Sequence, residues 1–421
     1  MLAQESDQML QIKSTAIGPV LKADRALAPD LARGVMLLFI ALANCAGFFF
    51  ASAPGVELTP QGSERIYNLF SFMFIHARTY PMFAFMFGYG MIQLALRQQA
   101  AGKTSNEVRN LLLRRNFWLL IFGLVHGILL YSGDVLGAYG VAGLVFTLLL
   151  LNRSNRIYRL VFWYLGFLVI YCLVIGIWIV SGFTNGSAET SSIVTSPFPS
   201  ALSPSYPASL SARLGEWPIH TVYMASSFII IWLGAWTARK RILEHPANHL
   251  WLLVWCSTIG IVVAAIAGLP MGLLNIGVLH SDAGTASLIK MLHETTGVFG
   301  GVGYVSIFGL IAYAMSKAPT RSENRIVRAI TALGQRSLSG YLFQSIVWLI
   351  IISPFALNLG ARFERLTFIA AVAAAIAWIV SLIGAYIMDH YGIRGWAEIL
   401  LRRLIYGRRT VSSSDVKKDT R

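Results

Sequence analysis

The stretch FWLLIFGLVHGILLYSGDVLGAYGVAGLVFTLLLL, Phe117 to Leu151, decides the fold. Two apolar runs flank the short connection Tyr131-Ser132-Gly133-Asp134. Each run approaches the length that spans a bilayer, about 20 residues. So short a connection leaves only a tight hairpin between two antiparallel helices. The first helix carries His126, and the second opens with Asp134. Ionisable groups at membrane depth are costly, so their presence calls for a partner or a function.

Outward from the hairpin the same apolar character continues. The 421-residue chain is 56% hydrophobic and only 13% charged, with a mean hydropathy of +0.63. The apolar residues gather in runs near 32–53, 80–96, 116–132, 134–151, 158–181, 218–237, 249–269, 291–315, 331–352 and 366–388. The expectation is an all-α polytopic membrane protein, a bundle of about ten transmembrane helices. Ile66–Ala77 reads as an interfacial or re-entrant helix before the short second span. Cys45, Cys172 and Cys256 lie far apart within apolar runs and read as buried thiols, not a disulfide frame or a metal site. The polar residues 1–30 form a cytoplasmic tail without the apolar core of a cleavable signal.

The formal net charge of +15 is topological in this reading. With the N-terminus inside, only Arg65, Arg78, Arg213, Lys290, Arg362 and Arg365 fall in outer segments, out of 34 lysines and arginines. That bias places both termini in the cytoplasm of a cell (plasma or inner) membrane protein. The partners expected are membrane lipids and a small-molecule substrate; nucleic acid has no place, and oligomerisation is left open. Residues 31–388 make the transmembrane domain. Its longest outer loop, 182–216, is rich in Ser, Thr, Pro and Gly, and its composition favours a disordered linker over a lid. Residues 389–409 place Trp396, Leu400 and Leu404 at i, i+4, i+8 among arginines, an amphipathic helix on the inner leaflet. Residues 410–421 read as a disordered tail.

Within the spans, polar residues mark candidate chemistry. His126 and Asp134 are eight residues apart across the hairpin turn and meet if their faces match. A carboxylate that orients an imidazole makes a competent general base; the plainer reading is a polar lock that fixes the hairpin. Asp30 and Arg33 share a helical face at the inner end, and Asn44 lies about three turns deeper. Arg78, beside His76, sits near the outer surface against the general bias. His293 and Glu294 open the eighth span at the same level as the hairpin turn, where one of them can face the interior beside His126; His220 and Tyr223 lie in that layer too. Tyr341, Gln344 and Ser345 form a polar stripe at i, i+3, i+4, with Arg336 at the inner end of the same span. No His-Glu-x-x-His pattern occurs, so no metal site is expected.

Five pieces, DLARGVMLLFIALAN, YPMFAFMFGYGMIQ, FGLVHGILLYSGDVLGAYGVAGL, GQRSLSGYLFQSIV and GIRGWAEILLRRLIYG, run in order from Asp30 to Gly407. Together they resemble the YeiB-like membrane proteins, a family of unknown function. The block His126, Gly133, Asp134, Tyr139 and Gly140 carries the resemblance most specifically. That family is distantly similar to transmembrane acyltransferases such as the heparan-α-glucosaminide acetyltransferases, which share the Arg33-Gly34 start and an Asn at the spacing of Asn44. The resemblance implies transfer of an acyl group from cytosolic acyl-CoA to an acceptor across the membrane. In those enzymes the catalytic histidine follows the first span, whereas the corresponding segment here, 52–65, has none. His126, oriented by Asp134, then becomes the base or transient acyl carrier. Arg33, Arg114, Arg115 and Arg336 would hold the acyl-CoA phosphates. Asn44, Arg78, Tyr139, His293, Glu294, Tyr341 and Gln344 would line the acceptor site. The alternatives are a small-molecule transporter or exporter using the same polar layer, and a non-catalytic membrane subunit or sensor.

Overall fold

The computed structural model describes residues 27–185, 193–317 and 324–407. Of the expected tails 1–30 and 410–421, residues 1–26 and 410–421 fall outside them, and residues 27–30 already belong to the first helix. In chain order the helices are α1 (Leu27–Phe50), α2 (Ser63–Phe74), α3 (Thr79–Ala100), α4 (Ser105–Leu129), α5 (Leu136–Leu149), α6 (Asn155–Arg159), α7 (Val161–Asn185), α8 (Pro199–Leu202) and α9 (Tyr206–Ala225). They continue with α10 (Phe228–Arg239), α11 (Leu250–Asn275), α12 (Ala283–Ser316), α13 (Arg325–Gln335), α14 (Ser337–Ile352), α15 (Leu366–His390) and α16 (Trp396–Tyr406). Two-residue strands, β1 (Ser52–Ala53) and β2 (Ser196–Pro197), pair antiparallel.

Every apolar run of the sequence falls on a helix. Six of the described helical segments are long and apolar enough to cross a membrane, or seven if α9 and α10, bent by 46° at their junction, form one span. α5 and α14 are apolar but shorter. Their outward faces are greasy: Trp163, Phe167 and Ile177 of α7 stand 81%, 61% and 70% exposed. A surface of that kind suits lipid and not water. The chain is thus a multi-pass helical membrane protein.

Inside the bundle, glycines let backbones touch. Gly123 of α4 faces Gly137 of α5 so closely that a Cβ there would overlap the Gly137 backbone and stand 2.6 Å from Asp134 Oδ2. Gly140 meets the backbone of Leu120 in the same hairpin. Gly88 of α3 and Gly234 of α10 each abut a carbonyl of the other helix, Ile231 and Phe85. Close approach of small residues is how helices associate where lipid removes the hydrophobic drive. Outside the spans, Asp282 caps α12, accepting from Thr285 Oγ1 at 2.6 Å and from the Gly284 and Thr285 amides. The Thr285 hydroxyl, then those amides, holds the Asp282 carboxyl below its usual range.

The loop 182–216 departs from the linker that its composition suggested. β2 pairs with β1 at the end of α1, Phe198 N–H donates to Ala51 O at 2.7 Å, and the last third of the loop is already helix α9. Residues 186–192 lie outside the described residues. At the opposite end of the bundle, α16 docks on the start of α14. Glu398 accepts from the Leu338 and Ser339 amides at 2.8 and 3.1 Å, and from the Ser339 hydroxyl at 2.5 Å. A carboxylate at that helix N-terminus satisfies otherwise unpaired amides. α16 buries Ala397 and Ile405 and leaves Trp396 and Leu400 half-exposed.

Because the α4–α5 contact is backbone to backbone, Gly123→Ala should force the hairpin apart at about 1–3 kcal/mol. Thermal unfolding in detergent should shift to clearly lower temperature than for Gly166→Ala, whose Cβ meets nothing within 4 Å. Equal melting of the two variants would contradict the packing.

Candidate functional site

The hairpin turn brings its two ionisable residues together. α4 ends as the Leu130 and Tyr131 amides both donate to His126 O, at 2.8 and 3.0 Å. The chain then turns through Ser132–Val135, and Asp134 Oδ2 accepts from Gly137 N–H at 2.7 Å, closing the first turn of α5. Asp134 Oδ1 lies 2.9 Å from His126 Nδ1. The separation is that of an ion pair, although the ring N–H direction misses the oxygen and leaves Nδ1 without an aligned hydrogen bond.

The other face of the imidazole meets α14. His126 Nε2 is 2.8 Å from Ser345 Oγ. Tyr341, one turn earlier, tilts against the imidazole at 4.7 Å between ring centroids and directs its hydroxyl to Asp134 Oδ1 at 3.4 Å. His126 is 1% exposed, Asp134 0% and Ser345 1%. The arrangement is a carboxylate, an imidazole and a hydroxyl in line, away from water. A neutral imidazole so placed can take a proton at Nε2 while the carboxylate stabilises the cation formed.

Helix α9 covers this site. Trp217 sits in the groove made by Gly127 and Gly137, where a Cβ on either glycine would strike its indole, and its Nε1 points to Asp134 Oδ2 at 3.5 Å. Glu216 latches the cover to the turn: it accepts from Ser132 Oγ at 2.5 Å, from Ser200 Oγ at 2.6 Å and from Ser200 N–H at 2.8 Å. Arg213 Nη1 adds a bond to Leu129 O at 2.9 Å. Neither Glu216 nor Trp217 stood out in the sequence. The signal that could have found them is Ser205 followed by Pro207, an N-cap with proline in the first turn of α9.

The remaining candidates divide between other places. Gln344 and Asn44 are buried, and Gln344 Oε1 and Nε2 and Asn44 Oδ1 have no protein partner among the described residues. Tyr139 stacks on Phe87 and donates to Tyr80 O at 3.0 Å. His293 does not join His126. Its Nδ1 lies 2.8 Å from Arg78 Nη1, and Arg78 is fully buried, donating also to His76 O at 2.9 Å and to Ala264 O at 2.6 Å. The physical reason is packing: Gly297 and Gly300 of α12 lie directly against Ala77 and Arg78, which turns His293 toward the α2–α3 junction. Glu294, next on α12, accepts from Tyr223 Oη at 2.8 Å near the surface.

At the far end of the bundle, Arg33 pairs with Asp30 at 3.4 Å, and Arg115 lies over the Phe87 ring at 5.0 Å. Arg114 donates to Ile405 O of α16 at 3.0 Å. Arg336 is braced: its guanidinium donates to Ile393 O and Ala332 O and lies 3.7 Å from Asp389 Oδ1. Among the described residues, no three His, Cys, Asp or Glu side chains gather as a metal site would require.

Residues 237–408 match a family model described as a protein of unknown function, DUF418. The chain is 25% identical over 381 residues to the uncharacterized protein YxaH of Bacillus subtilis (strain 168), covering 83% of this chain and 86% of that one. It is 24% identical over 405 residues to the uncharacterized protein YeiB of Escherichia coli (strain K12), covering 90% and 96%. A shorter match, 32% identical over 127 residues, is to an uncharacterized 39.9 kDa protein in the amylase 3′ region of Bacillus acidopullulyticus, covering 30% of this chain and 34% of that one.

Glu216→Ala would leave two hydroxyls and an amide without their shared acceptor, a loss of about 1–3 kcal/mol in the cover. Hydrogen exchange of residues 199–217 should speed up while the α4 and α5 amides stay protected. Unchanged exchange in 199–217 would show that Glu216 is no latch.

Proposed function

The chain belongs to the YeiB-like family of membrane proteins, and from that premise we propose that it is a cell-membrane enzyme transferring an acyl group from a cytosolic acyl-CoA to a hydroxyl- or amine-bearing acceptor on the outer side. The observation that carries this reading is the imidazole of His126, held between Asp134 and the Ser345 hydroxyl out of contact with water. Acyl transfer needs a base that deprotonates an attacking group and returns the proton to the leaving group, and this imidazole has the environment for both.

The proposal includes ten spans with both termini cytoplasmic, so that the hairpin turn and the α9 cover face outward. Arg33, Arg114 and Arg115 then lie on the cytoplasmic side, where their guanidinium groups suit the donor's phosphates. Arg336 serves there as the brace that sets α14 against the segment before α16. The unpartnered amide of Gln344 and the Asn44 Oδ1 would meet the travelling acyl group or the acceptor. α16, with Trp396 and Leu400 outward, would lie along the inner leaflet.

Two measurements test this. In a background lacking the three native cysteines, Ser211→Cys should react with an impermeant maleimide from outside intact cells, and Ser105→Cys should not; the reverse would invert the topology. In purified protein, acetyl-CoA should bind in the micromolar range by calorimetry. Binding should survive His126→Ala and weaken about tenfold or more, ~1.4 kcal/mol, in Arg114→Ala/Arg115→Ala. Transfer should fall by about 10²–10⁴ in His126→Ala. Folded wild type that binds no CoA ester would overturn the acyltransferase reading in favour of transport.

A further inference from the structure

We infer, resting on the acyl-transfer reading, that Ser345 is the nucleophile and carries the acyl group covalently between donor and acceptor. The inference starts from the direction of its hydroxyl. Serines in membrane helices usually donate back to the carbonyl four residues earlier. Ser306 and Ser381 do so here, at 2.9 Å to Val302 O and 2.8 Å to Ala377 O. Ser345 Oγ is 3.3 Å from Tyr341 O but 2.8 Å from His126 Nε2. A hydroxyl has one proton, and the shorter contact is to the imidazole. With Asp134 on Nδ1, the three residues form the nucleophile, base and orienting carboxylate of covalent acyl transfer, drawn from α14, α4 and the hairpin turn.

A second, independent observation concerns the charge that such an attack creates. A thioester carbonyl attacked by Oγ develops an oxyanion that needs donors. Two donors within one turn of Ser345 are buried and have no protein partner among the described residues: Gln344 Nε2 and Trp348 Nε1. Buried donors are seldom left unpaired, so two of them on the helix that carries the activated hydroxyl, one residue before it and three after, point to a bound group. Ser345 is also the ninth of the 16 residues of α14, midway along the helix. A carrier there lets donor and acceptor visit the site in turn, one from each side.

The step balances without further reactants. His126 Nε2 takes the Ser345 hydroxyl proton as Oγ bonds to the thioester carbon. The tetrahedral oxyanion collapses, the carbon–sulfur bond breaks, and the thiolate leaves with the proton from the imidazolium. Acyl-Ser345 remains. The acceptor's hydroxyl or amine then gives its proton to Nε2 and bonds to the ester carbon. The carbon–Oγ bond breaks, and Oγ recovers the proton.

The test uses full-length protein in lipid nanodiscs with radiolabelled acetyl-CoA and no acceptor, quenched in acid and analysed by intact mass and peptide mapping. Wild type and Ser381→Ala should trap up to one acetyl group per chain, on the peptide containing Ser345. Ser345→Ala should trap none, bind acetyl-CoA as wild type does, and lose at least about a hundredfold in transfer. Ser345→Cys should trap a hydroxylamine-labile thioester. A small fluorophosphonate should label Ser345 in wild type and not in His126→Ala. If Ser345→Ala transfers within about tenfold of wild type, or the acetyl group maps to His126, the carrier role is overturned and the reading of acyl transfer stands. If fluorophosphonate labels Ser345 but no acetyl-CoA binds, the nucleophile stands and the donor assignment falls. Absence of both acetyl trapping and fluorophosphonate labelling overturns the nucleophile.

Discussion

A carboxylate removed from water must be matched by donors, and the burial of Asp134 is the constraint around which this protein is arranged. Its two oxygens receive a backbone amide at 2.7 Å and approach an imidazole at 2.9 Å, with a phenol and an indole at longer range. Each donor comes from a different element: the start of α5, the end of α4, the second turn of α14 and the cover α9. Removing one partner of such a buried set leaves the others unsatisfied, so these elements are fixed relative to one another as well as to the site. The glycines at 123 and 137 are a consequence, because only helices in backbone contact bring His126 and Asp134 to this distance across a short turn.

Polarity is distributed along the bundle with a division of labour. One end holds Arg33, Arg114, Arg115 and Arg336, partly engaged by carbonyls and carboxylates. The water-free Asp134–His126–Ser345 line lies farther along, beneath a latched helix. α14 joins them. Glu398 and Arg336 secure its first turn, and Tyr341 and Ser345 reach the site one and two turns later. A docking change at the C-terminal helix would therefore reach Ser345 through a rigid element. Arg78 and His293 form a separate buried knot that ties the α2–α3 junction to α11 and α12.

The helices were legible in the sequence because lipid demands long apolar runs, and the His126–Asp134 meeting was legible because eight residues across a tight turn leave few geometries. Two kinds of information were not. Helical phase between distant segments is set by packing, so the stripe Tyr341, Gln344 and Ser345 announced an inward face without naming His126 as its partner. The same uncertainty sent His293 toward His126 on paper and toward Arg78 in the structure. Composition also misled in the Ser- and Pro-rich stretch. It read as a disordered linker, whereas its Ser200 and Glu216 join Ser132 of the hairpin turn and close the site.

The central claim is that His126 and Asp134 act as one chemical unit and not only as a polar lock. A double-mutant cycle on acetyl transfer measures this directly, comparing His126→Ala, Asp134→Asn and the double variant at matched folded concentration. The account predicts that the double variant is no slower than His126→Ala within about threefold, since Asp134 works only through the imidazole. Rate losses that multiply, with each single variant retaining most of its transfer, would contradict it.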